Sequence, residues 1–408
     1  MKRLCVFEIL FVLAILVVGC SIDTEPLQTV PDFTGTITEV LPLNNQDAFG
    51  QIQVENPVDD YIDKYILTIK ENTQIYEKIG DNLHPVDFNF LESQQQVQIW
   101  FSGPLMESFP MRGTAQKVVV TESTPPTYRQ LAEYWSPVWW QDTDEDDFRA
   151  DFITNIDFDG DWDTLNNWEN CPDFELKAYI YYWVVETSTH WFIGYADYHP
   201  RDWSDDITAP FDQHENDIEG CLLVIRKDGG RFGQFILALT RAHENFYSYT
   251  DHDSPISKSV IDGNEDIDGD VEFDGHNIYM YVCAEGHAVY ADRRWEENDF
   301  PSDDGVVYRY TGNAEEPENG NDRNVGYDLV YIGELWERRY DPLIFYDFGS
   351  LRGDNHGENK AHAPWRWDDQ DDGDILADKL FIDPAYLVEY YHDGLGDFSH
   401  EYVFQFSK

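Results

Sequence analysis

From Phe33 to the C-terminus one pattern recurs: a short run of β-branched and aromatic residues, then a polar turn. Runs of this kind, bounded by Gly, Pro, Asn and Asp, read as strands, because branched side chains fit a pleated surface. Only two stretches carry a helical period. YRQLAEYW (128–135) sets Leu131 and Trp135 one turn apart, and FIDPAYLVEYYHDG (381–394) offers Asp383 as a cap, Pro384 in the first turn and Gly394 as a stop. A chain so built is mostly β, with its work carried on the loops between strands. The 25 Tyr, 25 Phe and 13 Trp among 408 residues supply a large core.

Two domains are expected. In residues 33–122 the runs FTGTITEV, AFGQIQVE, YILTIKENTQIY, QQVQIWFSG and AQKVVVTE suggest a small five-stranded barrel. Gly35–Val40, Gly50–Val54, the strand from Tyr65 and QIWFSGPLMESFPMRGTAQKVVV resemble an uncharacterised OB-like domain of Gram-positive secreted lipoproteins. That resemblance implies fold and compartment, and a spacer or docking role fits it. ESTPPT (122–127) breaks the chain, since Pro125-Pro126 joins neither helix nor ladder. Residues 128–408 then read as a larger β-sandwich with a few short helices and long acidic loops, notably 200–219, 251–275, 296–304 and 314–325.

The first twenty residues, MKRLCVFEILFVLAILVVGC, place Lys2 and Arg3 before an apolar run, the form of a secretory signal. Val17-Val18-Gly19-Cys20 resembles the bacterial lipobox. The resemblance implies a diacylglycerol on Cys20, residues 21–32 as a tether, and a protein held outside the cytoplasmic membrane by acyl chains. An ordinary signal peptide or a single membrane anchor is the alternative. The 80 acidic against 27 basic residues, a formal charge of -53, keep the surface hydrated and argue against a nucleic-acid partner, whose phosphates such a surface repels. With Cys5 removed and Cys20 lipidated, Cys171, Cys221 and Cys283 remain, and three thiols cannot all pair. Cys221 and Cys283 read either as small core residues or as one bridge.

Candidate site residues gather in RDWSDDITAPFDQHENDIEG (201–220). A strand beginning near Asp217 would turn Asp217 and Glu219 to one face, and His214, in the preceding turn, could fold over them. With Asp206 upstream these make a mixed nitrogen and oxygen set, which suits Ca²⁺, Mg²⁺ or Mn²⁺ better than structural Zn²⁺. The competing reading is a solvated turn whose side chains bond the backbone. His287 reads as a ligand, as a residue orienting one, or as a core histidine; by alternation it shares a face with Cys283 and Glu285. His243, at the end of the intervening strand, is a candidate of the same kind. A second acidic stretch, NIDFDGDWDTLNNWEN, places Asp157, Asp159, Asp161 and Asp163 at alternate positions around Gly160, in the manner of a Ca²⁺ loop, although the EF-hand pattern is not met. IDGNEDIDGD (261–270) is a weaker version. The zinc-protease motif fails at Ile218 and Tyr247, and no G-x-S-x-G or phosphate-cradling loop occurs. Trp135, Trp139, Trp140, Trp162, Trp168, Trp203, Trp365 and Trp367 fall in loops or at strand ends, where such rings pin loops to the core.

HENDIEGCLLVI, GQFILALTRAHE and NIYMYVCAEGHAVYA together resemble the plant and fungal vacuolar protein sorting-associated family of unknown function, with Gly286-His287-Ala288 matching its second block. HPRDW and NKAHAPWRWDD look like variants of the same scaffold. More distantly, the His-x-x-Asp-x-Glu spacing is similar to that of the necrosis- and ethylene-inducing-like cytolysins. In that family the matching residues, with an Asp eight positions upstream, hold a divalent cation in a β-sandwich. Carried over, the resemblance implies His214, Asp217, Glu219 and Asp206 as ligands; Ile218, Gln213 and Asn216 depart from the motif and put the toxin activity in doubt. The expected function is a cell-surface lipoprotein whose divalent cation, Ca²⁺ or Mg²⁺, recognises a glycan or lipid headgroup. The alternatives are a metal-dependent extracellular hydrolase of phosphodiesters or glycosides, and a cytolysin-like protein.

Overall fold

The computed structural model describes residues 30–45, 48–58, 61–79, 82–106, 108–122, 125–204, 213–227, 231–251, 264–292, 304–355, 357–370, 378–393, 395 and 398–407. The signal segment with Cys20, Asp206, Gly394 and residues 261–263 lie outside them. The chain separates into two compact units, one running to Lys78 and resuming over Pro85–Glu122, the other Ile79–His84 with Ser123–Lys408.

The first of two sheets is built from β1 (Phe33–Asn45), β2 (Ala48–Val58), β3 (Tyr61–Ile69), β4 (Gln74–Ile79), β5 (Asn82–Pro85), β6 (Gln96–Phe101) and β7 (Met111–Glu122). Five strands close a barrel. β1 pairs with β2 and β6, β2 with β3, and β6 with β7; the parallel pairing of β3 with β7 completes the ring. Alternation selects its core, with Ile52 and Val54 on β2, Leu67 and Ile69 on β3, and Val97 and Ile99 on β6 all without exposure. The run YILTIKENTQIY is two strands rather than one. The chain turns at Lys70–Thr73, and β4 extends along β7 beyond the stretch that β3 uses. Glu71-Asn72 at the turn favours reversal over a continued ladder.

The second unit carries one curled sheet of thirteen strands. These are β8 (Val138–Gln141), β9 (Tyr179–Thr187), β10 (His190–Asp202), β11 (His214–Arg226), β12 (Gln234–Ala242), β13 (Asn245–Thr250), β14 (Gly269–Asp270), β15 (Phe273–Asp274), β16 (Asn277–Val282), β17 (Val289–Tyr290), β18 (Val306–Tyr310), β19 (Val325–Tyr331) and β20 (Tyr402–Phe404). The order runs β14-β13-β12-β11-β10-β9-β19-β18-β8-β16-β15, with β17 beside β16 and β20 beside β9. Because β9 to β12 are apolar on both faces, each face needs cover. One is filled by a core including Ile180, Ile193, Leu223, Met280 and Tyr327, the other by Trp183, Leu222, Trp365, Trp367 and Phe381. Trp139, Trp365 and Trp367 have no exposure, so these rings anchor their segments as expected.

Short helices complete the unit: α1 (Tyr128–Tyr134), α2 (Asn167–Asn170), α3 (Gly333–Glu337), α4 (Lys379–Ile382) and α5 (Pro384–Tyr391). Thr127 and Gln130 form a reciprocal capping box on α1. Asp383 stands before α5 but caps nothing with its side chain, because its carboxylate accepts the Tyr402 hydroxyl at 2.6 Å. Cys171, Cys221 and Cys283 are all free thiols, so the bridge reading of the last two fails.

Candidate functional site

The antiparallel register of β10 and β11 sets Asp197 opposite Glu219, His199 opposite Asp217, and Asp202 opposite His214. Directly opposed residues share a face, so three acid-bearing pairs stand in a row. The strand begins at His214, not near Asp217. Strict alternation would then send His214 to the far face from Asp217 and Glu219. Asn216 prevents this: at φ +60 it adopts the left-handed conformation that asparagine tolerates, and all three side chains line one cavity of about 910 Å³. Its amide is fully engaged. Oδ1 accepts from the Tyr198 hydroxyl at 2.6 Å and Asn167 Nδ2 at 2.9 Å, while Nδ2 donates to the carbonyls of Thr164 and Arg352 at 3.1 and 2.8 Å. Close approach of the strands is secured at Gly220, where a Cβ would stand 2.1 Å from the Tyr195 carbonyl oxygen.

His287 arrives differently from the strand position that alternation suggests. β16 ends at Val282, and residues 283–287 form a turn, with Glu285 and His287 at φ +67 and +49, before β17 begins. A period of two therefore does not apply across it. The turn drives the His287 ring into the interior, where Nδ1 donates to Asp217 Oδ2 at 3.1 Å and Nε2 lies 3.3 Å from Asp151 Oδ1. Asp151 also accepts the backbone N–H groups of Asp144 and Glu285, each at 2.8 Å. The His199 ring lies flat on that of His287, centroids 3.7 Å apart, and its Nε2 shares a hydrogen bond with Asp197 Oδ2 at 3.1 Å.

Electrostatics follow from these pairings. Burial opposes charge on His287, but the Asp151 and Asp217 carboxylates outweigh it and push the imidazole up to about 10. Burial works to raise Asp217 too, yet the His287 bond and the surrounding imidazoles hold it below the usual carboxylate range. Burial lowers His199 well below an ordinary histidine, reinforced by the His287 charge. His214 is opposed by burial but raised by Asp202, which its Nε2 meets at 3.2 Å. With fewer partners, Asp197 is pushed by burial up to about 7. Burial raises Glu219 well above normal, against the opposing Arg241 guanidinium 3.1 Å away.

The structure thus brings His214, Asp217 and Glu219 onto one cavity wall, with the exposed His243, at φ +58, on the same cavity. Asp206 lies outside the described residues. Among those residues no three His, Cys, Asp or Glu side chains stand ready to hold a metal ion. The cluster is closed instead by the pairs His214–Asp202, His287–Asp217 and Arg241–Glu219. Spacing missed Asp151, Asp197, His199, Asp202 and Arg241. Asp202 and His199 were within reach of a pairing argument, since an antiparallel partner of HENDIEG ending in YHPRDW brings them opposite.

The stretch 157–163 is a chain of turns. Asp159, Asp161 and Asp163 each accept the backbone N–H two residues on, at 3.1, 2.7 and 3.2 Å, and Asp159 also accepts Asn170 Nδ2 at 2.6 Å. Each bond takes one lone pair of its carboxylate, and Asp157 is bonded by Asn155.

No family model and no curated protein matches this chain. Solved structures that resemble it include NLPPya in complex with glucosamine, at 14% identity and TM-score 0.31 over 62% of this chain and 91% of that one. A toxin fold for microbial attack and plant defense shows 14% identity and TM-score 0.28, over 62% and 92%. Necrosis and Ethylene inducing Protein 2, from the causal agent of cocoa's Witches Broom disease, shows 13% and 0.25, over 51% and 76%. Likeness at this level says nothing about what the present cavity binds.

Proposed function

We propose that the second unit is a recognition module that takes a divalent cation on the wall formed by Asp217, Glu219, His214 and Asp202, and through it binds a polyhydroxylated ligand. One observation carries this reading: the cluster holds more carboxyls than cationic side chains. Asp151, Asp202, Asp217 and Glu219 have His214, His287 and Arg241 as ion-pair partners, while burial raises the Asp197 and Glu219 carboxyls, which favours their holding protons where no cation is bound. Glu219 is 3% exposed, and among the described residues its Oε2 has no hydrogen-bond partner. Burying these carboxylates as anions is costly, and a divalent ion would take the place of the protons that burial favours on them. Oxygen-rich donors with one imidazole suit Ca²⁺, Mg²⁺ or Mn²⁺. Bound there, the ion would supply open coordination positions for ligand hydroxyls.

The rest of the cavity suits a sugar-like occupant. Asn245, Asn359 and Gln370 bring amides that donate and accept, and Trp203 brings an indole, beside a mixed rim of Glu244, Glu285 and Lys360. On this reading the lipid on Cys20 holds the protein outside the cytoplasmic membrane, and the barrel has a spacer or docking role.

Calorimetry with Ca²⁺, Mg²⁺ and Mn²⁺ on the parent and on the His214→Ala/Asp217→Ala variant tests the cation. Binding by the parent and none by the variant is expected; identical isotherms remove the proposal. A glycan array read with and without chelator then tests the ligand, and cation-dependent turnover of a glycoside or phosphodiester would replace recognition by hydrolysis.

A further inference from the structure

We infer that Asp151 is a positioning residue: acting through His287, it fixes the orientation in which Asp217 meets the cavity. The inference rests on the proposed cation wall for its consequence, though its geometry does not depend on it. Among the described residues, Asp217 is the member of that wall held from behind by a ring that a second carboxylate also faces. His287 donates Nδ1 to Asp217 Oδ2, and its other nitrogen faces Asp151 Oδ1. The ring is hydrogen-bonded at Nδ1 and faces a carboxylate 3.3 Å from Nε2, a charge contact short of hydrogen-bond geometry, so a flip of the imidazolium would lose both the bond and that attraction.

Asp151 is itself immobilised. It has no exposure, its two oxygens accept backbone N–H groups from Asp144 and Glu285, and Glu285 lies in the same turn that carries His287. One carboxylate therefore fastens both the backbone of the 283–287 turn and the ring that the turn delivers. That turn is strained, with two side-chain-bearing residues at positive φ, and something must hold it. His199 stacks on the ring at 3.7 Å, so one face is bounded as well as the Nδ1 edge. The other side of Asp217 is free to work: its Oδ1 accepts only the N–H of Ile218, at 2.8 Å, among the described residues.

Removing Asp151 should weaken cation binding without touching a proposed ligand. Mn²⁺ affinity measured on Asp151→Asn, His287→Gln and the double variant is expected to fall about 10–100-fold in each single variant, and no further in the double, because both act through one link. A merely structural role predicts lowered melting temperature with unchanged Mn²⁺ affinity of the folded protein, or losses that add; either overturns the inference. A second readout needs no metal. The His287 Nδ1 proton, slowed by its bond to Asp217, is expected as a downfield resonance in the parent and lost in Asp151→Asn, and its survival there overturns the inference. If the parent takes up no Mn²⁺ while this resonance behaves as expected, the cation proposal falls and the positioning role stands.

Discussion

Two stretches of the second unit carry acidic residues at similar density, and the fold treats them in opposite ways. In 157–163 the carboxylates follow one another along a run of turns and bond the backbone two residues on. Around 214–219 they come from two paired strands and two distant turns, lose solvent, and meet imidazoles and a guanidinium. The first arrangement leaves its carboxylates near solvent and bonded to the adjacent backbone. In the second, burial raises the energy of every charged form, and the proposed cation would act there. Similar acidic spacing thus meets different surroundings.

The largest expected effect breaks the buried arrangement. Asp217→Ala leaves the His287 imidazolium without the partner that holds it, and loss of one member of a buried pair costs about 3–5 kcal/mol, read by urea unfolding. A loss below about 1 kcal/mol would place the cluster with the exposed turns. A buried histidine lacking carboxylates sharpens the contrast. His392 is as buried as His287, but among the described residues its Nε2 meets only the Ser248 hydroxyl, at 2.7 Å, and burial lowers it to about 4. The unfolded chain therefore binds the proton more readily between about pH 4 and 6.5. Stability is full above that window and falls as pH drops through it, by at most about 3 kcal/mol. His392→Gln should flatten that part of the stability profile.

Cation at about a hundredfold excess over its Kd should stabilise the parent by about 2.7 kcal/mol and leave Glu219→Gln nearly unmoved. Smallest of all, Asp161→Ala and Asp163→Ala should each cost about 1 kcal/mol, the scale of one local hydrogen bond, with cation affinity unchanged. A fall in affinity there would overturn the distinction between the two stretches.

The barrel was legible because a period of two, read on short runs, assigns each side chain to core or solvent without knowledge of the partner strand. The apolar runs YIYYWVVET and HENDIEGCLLVI showed that the second unit is sheet-rich, but not that thirteen strands join into one. The site was half legible. His214, Asp217 and Glu219 do share a wall, though for a reason that spacing could not supply: Asn216 at positive φ corrects an odd separation. His287 was a fair candidate with the wrong geometry, because a turn replaced the strand on which alternation would have placed it.

By itself the sequence determined the class of fold and where acid and aromatic residues concentrate, since both follow from local pattern and composition. Only the tertiary structure decided which carboxylates lose water and which cations they meet. Asp151, His199 and Arg241 lie far from Asp217 along the chain and reach its surroundings only when β10, β11, β12 and the 283–287 turn pack together. Desolvation depends on what surrounds a group in space, and chain order does not record it.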